Sequence, residues 1–143
     1  MVLRRMVFDN VGGFDERLGP GAAGGWEDID LAQRIKQVGL RIAYMPDVAV
    51  YHAVDPARLT PEYFRAFQQR EARSRFALDP QRAWRRAVPR LLDAAVAFAW
   101  WSALRRPIRR EHARGRVIKH AEMLRLSWAA RRSSAATPSD QEG

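Results

Sequence analysis

Arg41-Ile42-Ala43-Tyr44-Met45-Pro46-Asp47-Val48-Ala49-Val50-Tyr51-His52 is the stretch on which the fold class turns. Its two short runs are rich in β-branched and aromatic residues, sit either side of Pro46-Asp47, and read as strands. Residues 1–4 read as the end of another strand, and residues 5–11 as a short helix with Met6, Val7 and Val11 apolar. Gly12-Gly13 breaks the chain there, since glycine reaches positive φ without steric cost. Gly19-Pro20-Gly21 and Gly24-Gly25 bracket a loop. A helix is expected over 27–38, with Leu31, Ile35 and Val38 on one stripe, Asp30 and Arg34 four apart on another, and Gly39 just past its end. Asp55-Pro56 closes this half, which reads as α/β.

The remainder reads as helical. Thr60-Pro61-Glu62 is a helix start with Thr as N-cap and Pro in the first helical position, and Tyr63, Phe64, Phe67 and Phe76 mark an apolar face. Asp79-Pro80 starts a further helix that Pro89 is expected to kink or restart, because proline has no N–H to donate. The apolar segment 91–104 contains Asp93 and would reach only about 21 Å as a helix, short of the ~30 Å core of a bilayer. A last helix is expected over 108–131, and the small polar tail 133–143 reads as disordered. The expected organisation is therefore 1–56, 57–132 and a tail.

Charge divides the chain in the same place. Residues 1–56 carry six basic and eight acidic side chains, whereas residues 57–143 carry the other 19 basic groups against eight acids. An acidic half suited to chemistry and a basic half suited to anionic surfaces follow from that asymmetry. The absence of cysteine excludes a disulfide framework and a thiolate metal site and fits a reducing compartment. No apolar run follows the two N-terminal arginines, so the sequence shows no signal peptide.

Val11-Gly12-Gly13-Phe14-Asp15-Glu16, Gly25-Trp26-Glu27-Asp28-Ile29-Asp30-Leu31, Arg34 and His52 put a glycine turn, an acidic helix start and a lone histidine in one 42-residue window. Core packing calls for no such combination. The pattern resembles the acceptor side of a family-two glycosyltransferase of the GT-A type, over roughly the first 56 residues and more loosely over the next two dozen. The resemblance implies an α/β fold, a partial GT-A half-domain with few strands followed by an α-helical extension. It also implies transfer of a hexose from a nucleotide diphosphate-sugar donor to a hydroxyl of a glycan or lipid-linked saccharide acceptor, commonly with inversion. Such a hydroxyl is a poor nucleophile at neutral pH, so a carboxylate must take its proton as the C–O bond forms. Asp28 matches the family position of that base, and Glu27 that of a residue hydrogen-bonding the acceptor. Trp26 would face a sugar ring, and Gly25, beside Gly24, would let backbone and substrate approach closely. A purely structural account is also open, because acidic side chains are stabilising in the first turn of any helix. For Asp30 the spacing to Arg34 is explanation enough.

In many such enzymes a histidine at the place of His52 completes a Mn²⁺ or Mg²⁺ site whose other ligand is an upstream Asp-x-Asp motif. No such motif precedes it here, and Asp28-Ile29-Asp30 falls in the acceptor segment. The resemblance thus implies a divalent metal in the complete enzyme, with His52 as a ligand, and no tight metal binding by this chain alone. A strand-end histidine in a hydrogen-bond network is the plainer account. His112 and His120, eight apart, lack the spacing of a helical metal pair and read as solvated.

Two or three short strands cannot form a sheet covered on both faces. The chain is therefore expected to be the C-terminal part of a larger enzyme, or a split subunit, with the donor-nucleotide half elsewhere and little activity of its own. The alternative to an enzyme is a noncatalytic basic membrane-surface or partner-binding module. Arginines flanking Trp100-Trp101 fit two descriptions: an interfacial anchor on an anionic membrane surface, which would suit a lipid-linked acceptor, or a helix buried in the extension. The second is favoured by the small residues Ala94, Ala95, Ala97, Ala99 and Ala103. Nucleic acid is the weakest partner class, since the arginines are scattered and no reader motif is present. The location expected is cytoplasmic, peripheral to the inner face of the membrane.

Overall fold

Every regular element among the described residues is a helix. The structure, a computed structural model, describes residues 2–19 and 21–135. Met1, Pro20 and residues 136–143 of the expected tail lie outside the described residues. In chain order the elements are α1 (Arg5–Val11), α2 (Glu27–Gln37), a 3-10 turn over Pro56–Leu59, α3 (Pro61–Leu78), α4 (Pro80–Ala103) and α5 (Pro107–Ala135).

The expected α/β half-domain is not formed: among the described residues there is no strand and no sheet. Residues 2–4 and 38–55 are irregular, and the runs 41–45 and 48–52 are exposed along their whole length. The reason lies in Pro46. The Val48 N–H donates to the Met45 carbonyl (3.2 Å), closing a β-turn with proline at its second position. Proline fixes φ near −65°, which excludes the primed turns that match the twist of a two-residue hairpin. The two runs therefore leave the turn splayed, and among the described residues no third strand holds them, so β-propensity finds no ladder here.

The helix boundaries follow local chemistry. α2 ends in a Schellman motif: the Gly39 N–H donates to the Lys36 carbonyl and the Leu40 N–H to the Ile35 carbonyl (both 3.1 Å). Thr60 Oγ1 accepts the Tyr63 N–H at 3.2 Å, and the Asp79 carboxylate accepts the Arg82 N–H at 3.2 Å, each cap followed by proline. Pro89 does not restart α4, which runs unbroken from Pro80 to Ala103. The carbonyl left without its i+4 donor belongs to exposed Arg85, where water can satisfy it. Ser133 and Ser134, read as tail, extend α5, with hydroxyls donating to the carbonyls of Ala129 and Ala130.

α4 and α5 form a long helical hairpin, and α3 packs chiefly on α5. Ala72 of α3, Ala83 and Ala87 of α4 and Met123 of α5 make the core, with Phe76 and Leu124 against it. Small residues bring the helices close. At Gly115 a Cβ would lie 2.7 Å from Phe64 Cζ, so any larger residue would make the Phe64 ring move for α3 and α5 to keep this approach. α1 and α2 pack together, and Leu18, Leu31 and Ile35 are buried in this part of the chain.

Candidate functional site

Arg34 holds the glycine turn to α2. Its guanidinium donates to the carbonyls of Val11 and Gly13 (2.8 Å for the second) and to Asp30 Oδ2 (2.8 Å). The i,i+4 pair read from sequence is therefore present, and it anchors the Gly12-Gly13 turn. The chain then folds back through Asp15, whose carboxylate accepts from the backbone N–H and guanidinium of Arg17. Those bonds hold the Asp15 carboxyl down at about 2, well below its ordinary value.

Between α1, this turn and the start of α2 lies an open groove of about 690 Å³. One side is apolar, formed by Leu3, Phe8, Phe14 and Leu18, with the Phe8 and Phe14 rings edge to face at 6.1 Å. Gly19 and four carboxylate-bearing residues, Asp15, Glu16, Glu27 and Asp28, complete it. Asp28 is exposed, and its Oδ1 accepts the Ile29 N–H at 2.8 Å. Glu27 packs its carboxyl against Gly19, and its Oε2 is buried without a hydrogen-bond partner.

Trp26 faces away from the groove lining. Its indole Nε1 donates to Glu71 Oε1 of α3 at 2.7 Å, and the Arg75 guanidinium lies 4.5 Å over its ring. Trp26 also caps α2 with φ 78° and ψ 4°, a left-handed conformation that is costly for a residue with a Cβ. The Glu71 bond and the Arg75 stack hold it there, as does the neighbouring loop, whose Ala23 carbonyl accepts from Ser74 Oγ at 3.4 Å. Gly25 stands behind the groove, its carbonyl accepting the Gly19 N–H at 3.4 Å. Of the residues expected to form the site, the structure brings Glu27 and Asp28 into one groove and leaves Gly25 and Trp26 as its support.

His52 is not among the groove residues. It is exposed in the irregular segment 38–55, and no group of three or more His, Asp or Glu side chains that could hold a metal exists among the described residues. The described residues by themselves supply no several-ligand site for the divalent metal that the resemblance implies for the complete enzyme.

Two features escaped the sequence reading. Phe8 and Phe14, which flank the glycine turn, both line the groove. His120 is buried rather than solvated, at 4% exposure, with Nδ1 unpartnered. Burial and the neighbouring cations Lys119, Arg75, Arg90 and Arg116 push its imidazole down to about 4. The same surroundings lower Lys119 and Arg75, in each case through desolvation first.

Comparison of the chain with protein-family models gives no match, and neither curated proteins nor solved structures give one.

Proposed function

We propose that the groove between α1 and α2 binds a saccharide and presents one of its hydroxyls for glycosylation, with Asp28 as the base. The reading is supported by one observation above others: Glu27 and Asp28 line the same groove as the rings of Phe8 and Phe14. A sugar has the complementary chemistry. Its axial C–H face packs on aromatic carbon, and its hydroxyls donate to carboxylate oxygens. Glu27 holds the acceptor by accepting one hydroxyl. Asp28 takes the proton of the hydroxyl whose oxygen attacks the anomeric carbon of a nucleotide diphosphate-sugar. The new C–O bond forms as the bond from that carbon to the diphosphate breaks, and the nucleoside diphosphate leaves with the electron pair.

This role matches the position that each residue has in the family-two pattern, and it needs neither a sheet nor His52. Binding is the decisive measurement. Protein-observed NMR titrations with oligosaccharides ending in hexoses and hexosamines should move the Phe14, Leu18 and Glu27 resonances. Glu27→Gln should weaken that binding about tenfold, the loss of one charge-assisted hydrogen bond. Asp28→Asn should leave binding within a few-fold, because the base acts on the attacking hydroxyl and does not hold the acceptor. Shifts confined to other parts of the molecule, or none at all across the panel, would overturn the proposal.

A further inference from the structure

α4 buries one face and leaves the opposite face bare. Ala83, Ala87 and Ala94 are covered by the rest of the helical bundle. Four residues apart along the outer side stand Val88, Leu92, Val96, Trp100 and, at the cap, Leu104; Leu92, Val96 and Trp100 are 64%, 70% and 59% exposed. The row is continuous over about 24 Å. Among the described residues the other four tryptophans each carry an arginine over the ring, whereas Trp100 carries none.

Charge frames this row at both ends. Arg82, Arg85, Arg86 and Arg90 precede or flank its start, and Arg105, Arg106, Arg109 and Arg110 follow its end, all exposed. Asp93 is the one carboxylate between residues 80 and 110, and Arg116 of α5 neutralises it. Arg105 keeps the far cluster at the corner: it takes φ 51° where helices usually place glycine, while the Arg106 N–H donates back to the Trp101 carbonyl at 3.0 Å.

We infer that α4 docks in the plane of an anionic lipid surface, with Leu92, Val96 and Trp100 in the acyl boundary and the two arginine clusters among the headgroup phosphates. Lipid is favoured over a second copy of the chain by electrostatics. Pairing this face with itself, parallel or antiparallel, sets one arginine cluster against another, and such like-charge contact opposes association. A nucleic acid could satisfy the arginines but would leave the apolar row against phosphates and water. A bilayer interface meets both demands at once: anionic headgroups for the arginines, acyl chains for the row, and a depth suited to an indole. No helix among the described residues is long and apolar enough to cross a membrane, so the docking is peripheral. It is independent of the saccharide groove, which lies at α1 and α2.

Flotation of the whole protein with vesicles tests the inference. Phosphatidylcholine vesicles containing about one-third phosphatidylglycerol should carry the protein upward in low salt, and pure phosphatidylcholine should carry at least tenfold less. Leu92→Glu and Val96→Glu, at positions exposed in the folded protein, should each reduce binding about tenfold or more with an unchanged helical circular dichroism spectrum. Brominated acyl chains should quench the indole emission, and Trp100→Phe should remove most of that quenching. Absence of flotation in low salt would overturn the inference. So would flotation indifferent to Leu92→Glu, a dimer in sedimentation that Leu92→Glu dissolves, or retention of duplex DNA by a protein that ignores both kinds of vesicle.

Discussion

Acidification from pH 7 to pH 5 should remove about 2 kcal/mol of stability through one side chain, His120. The imidazole is packed in the bundle with a folded-state value of about 4, against 6.5 for a free histidine. Desolvation is the first cause, and four cations add to it: Lys119 and Arg116 on its own helix, Arg75 on α3 and Arg90 on α4. Because the folded value lies below the unfolded one, the unfolded chain takes up the proton first. Stability from the neutral imidazole is whole above pH 6.5 and is lost as pH falls towards 4, to a limit of about 3 kcal/mol. The two carboxylates with lowered values, Asp15 and Glu122, lose their contributions in the same direction but only below their ordinary values of 3.8 and 4.5. The interval between pH 6.5 and 4.5 therefore isolates the histidine. Urea unfolding at closely spaced pH values, for the protein and for His120→Leu, gives the difference directly, and the variant should show a flat profile in that interval. The resonances of the His120 ring supply a second measurement that needs no variant, with a titration midpoint near 4 in the native state. A midpoint near 6.5, or an equal pH slope in His120→Leu, would refute the reasoning.

Gly115→Ala tests the close approach of α3 and α5. The added methyl gains about 1 kcal/mol of helix propensity but meets Phe64 Cζ at 2.7 Å, so a net loss of about 1 kcal/mol is expected, recovered in part by Phe64→Leu. A variant more stable than the parent in thermal unfolding would show that the helices can part freely. Trp26→Phe keeps the ring under Arg75 but strips the donor from Glu71. It should cost about 1–2 kcal/mol, read as a lower Tm, and an unchanged Tm would mean that the indole bond does not anchor α2 to α3.

Local rules were legible wherever the structure depends on local geometry. Thr60-Pro61, Asp79-Pro80 and Gly39 act within one helical turn of themselves, and the Asp30–Arg34 pair spans a single turn, so short windows of sequence contain all that determines them. The runs 41–45 and 48–52 have strand character in sequence and form no strand, because strand propensity is a preference that needs a partner, and the turn at Pro46 denies the nearest one. The groove was half legible. Glu27 and Asp28 declare themselves by their place at a helix start, whereas the aromatic wall depends on the fold-back through Asp15 and Arg17.

His120 had a signal that a pattern of two histidines eight apart concealed. It lies seven residues from Ala113 and seven from Ser127, both buried, on the stripe that also carries Met123. Placing it on that stripe turns a solvated histidine into a buried one, and burial beside cations then lowers its imidazole. Trp26 had no comparable signal. Its indole is pulled from the groove by Glu71, 45 residues away, and held by Arg75, and nothing in the acidic segment foretells either. Trp26 therefore bears on the groove only through α2: the strained Trp26 cap sets the direction of the first turn, and that turn sets where Glu27 and Asp28 point.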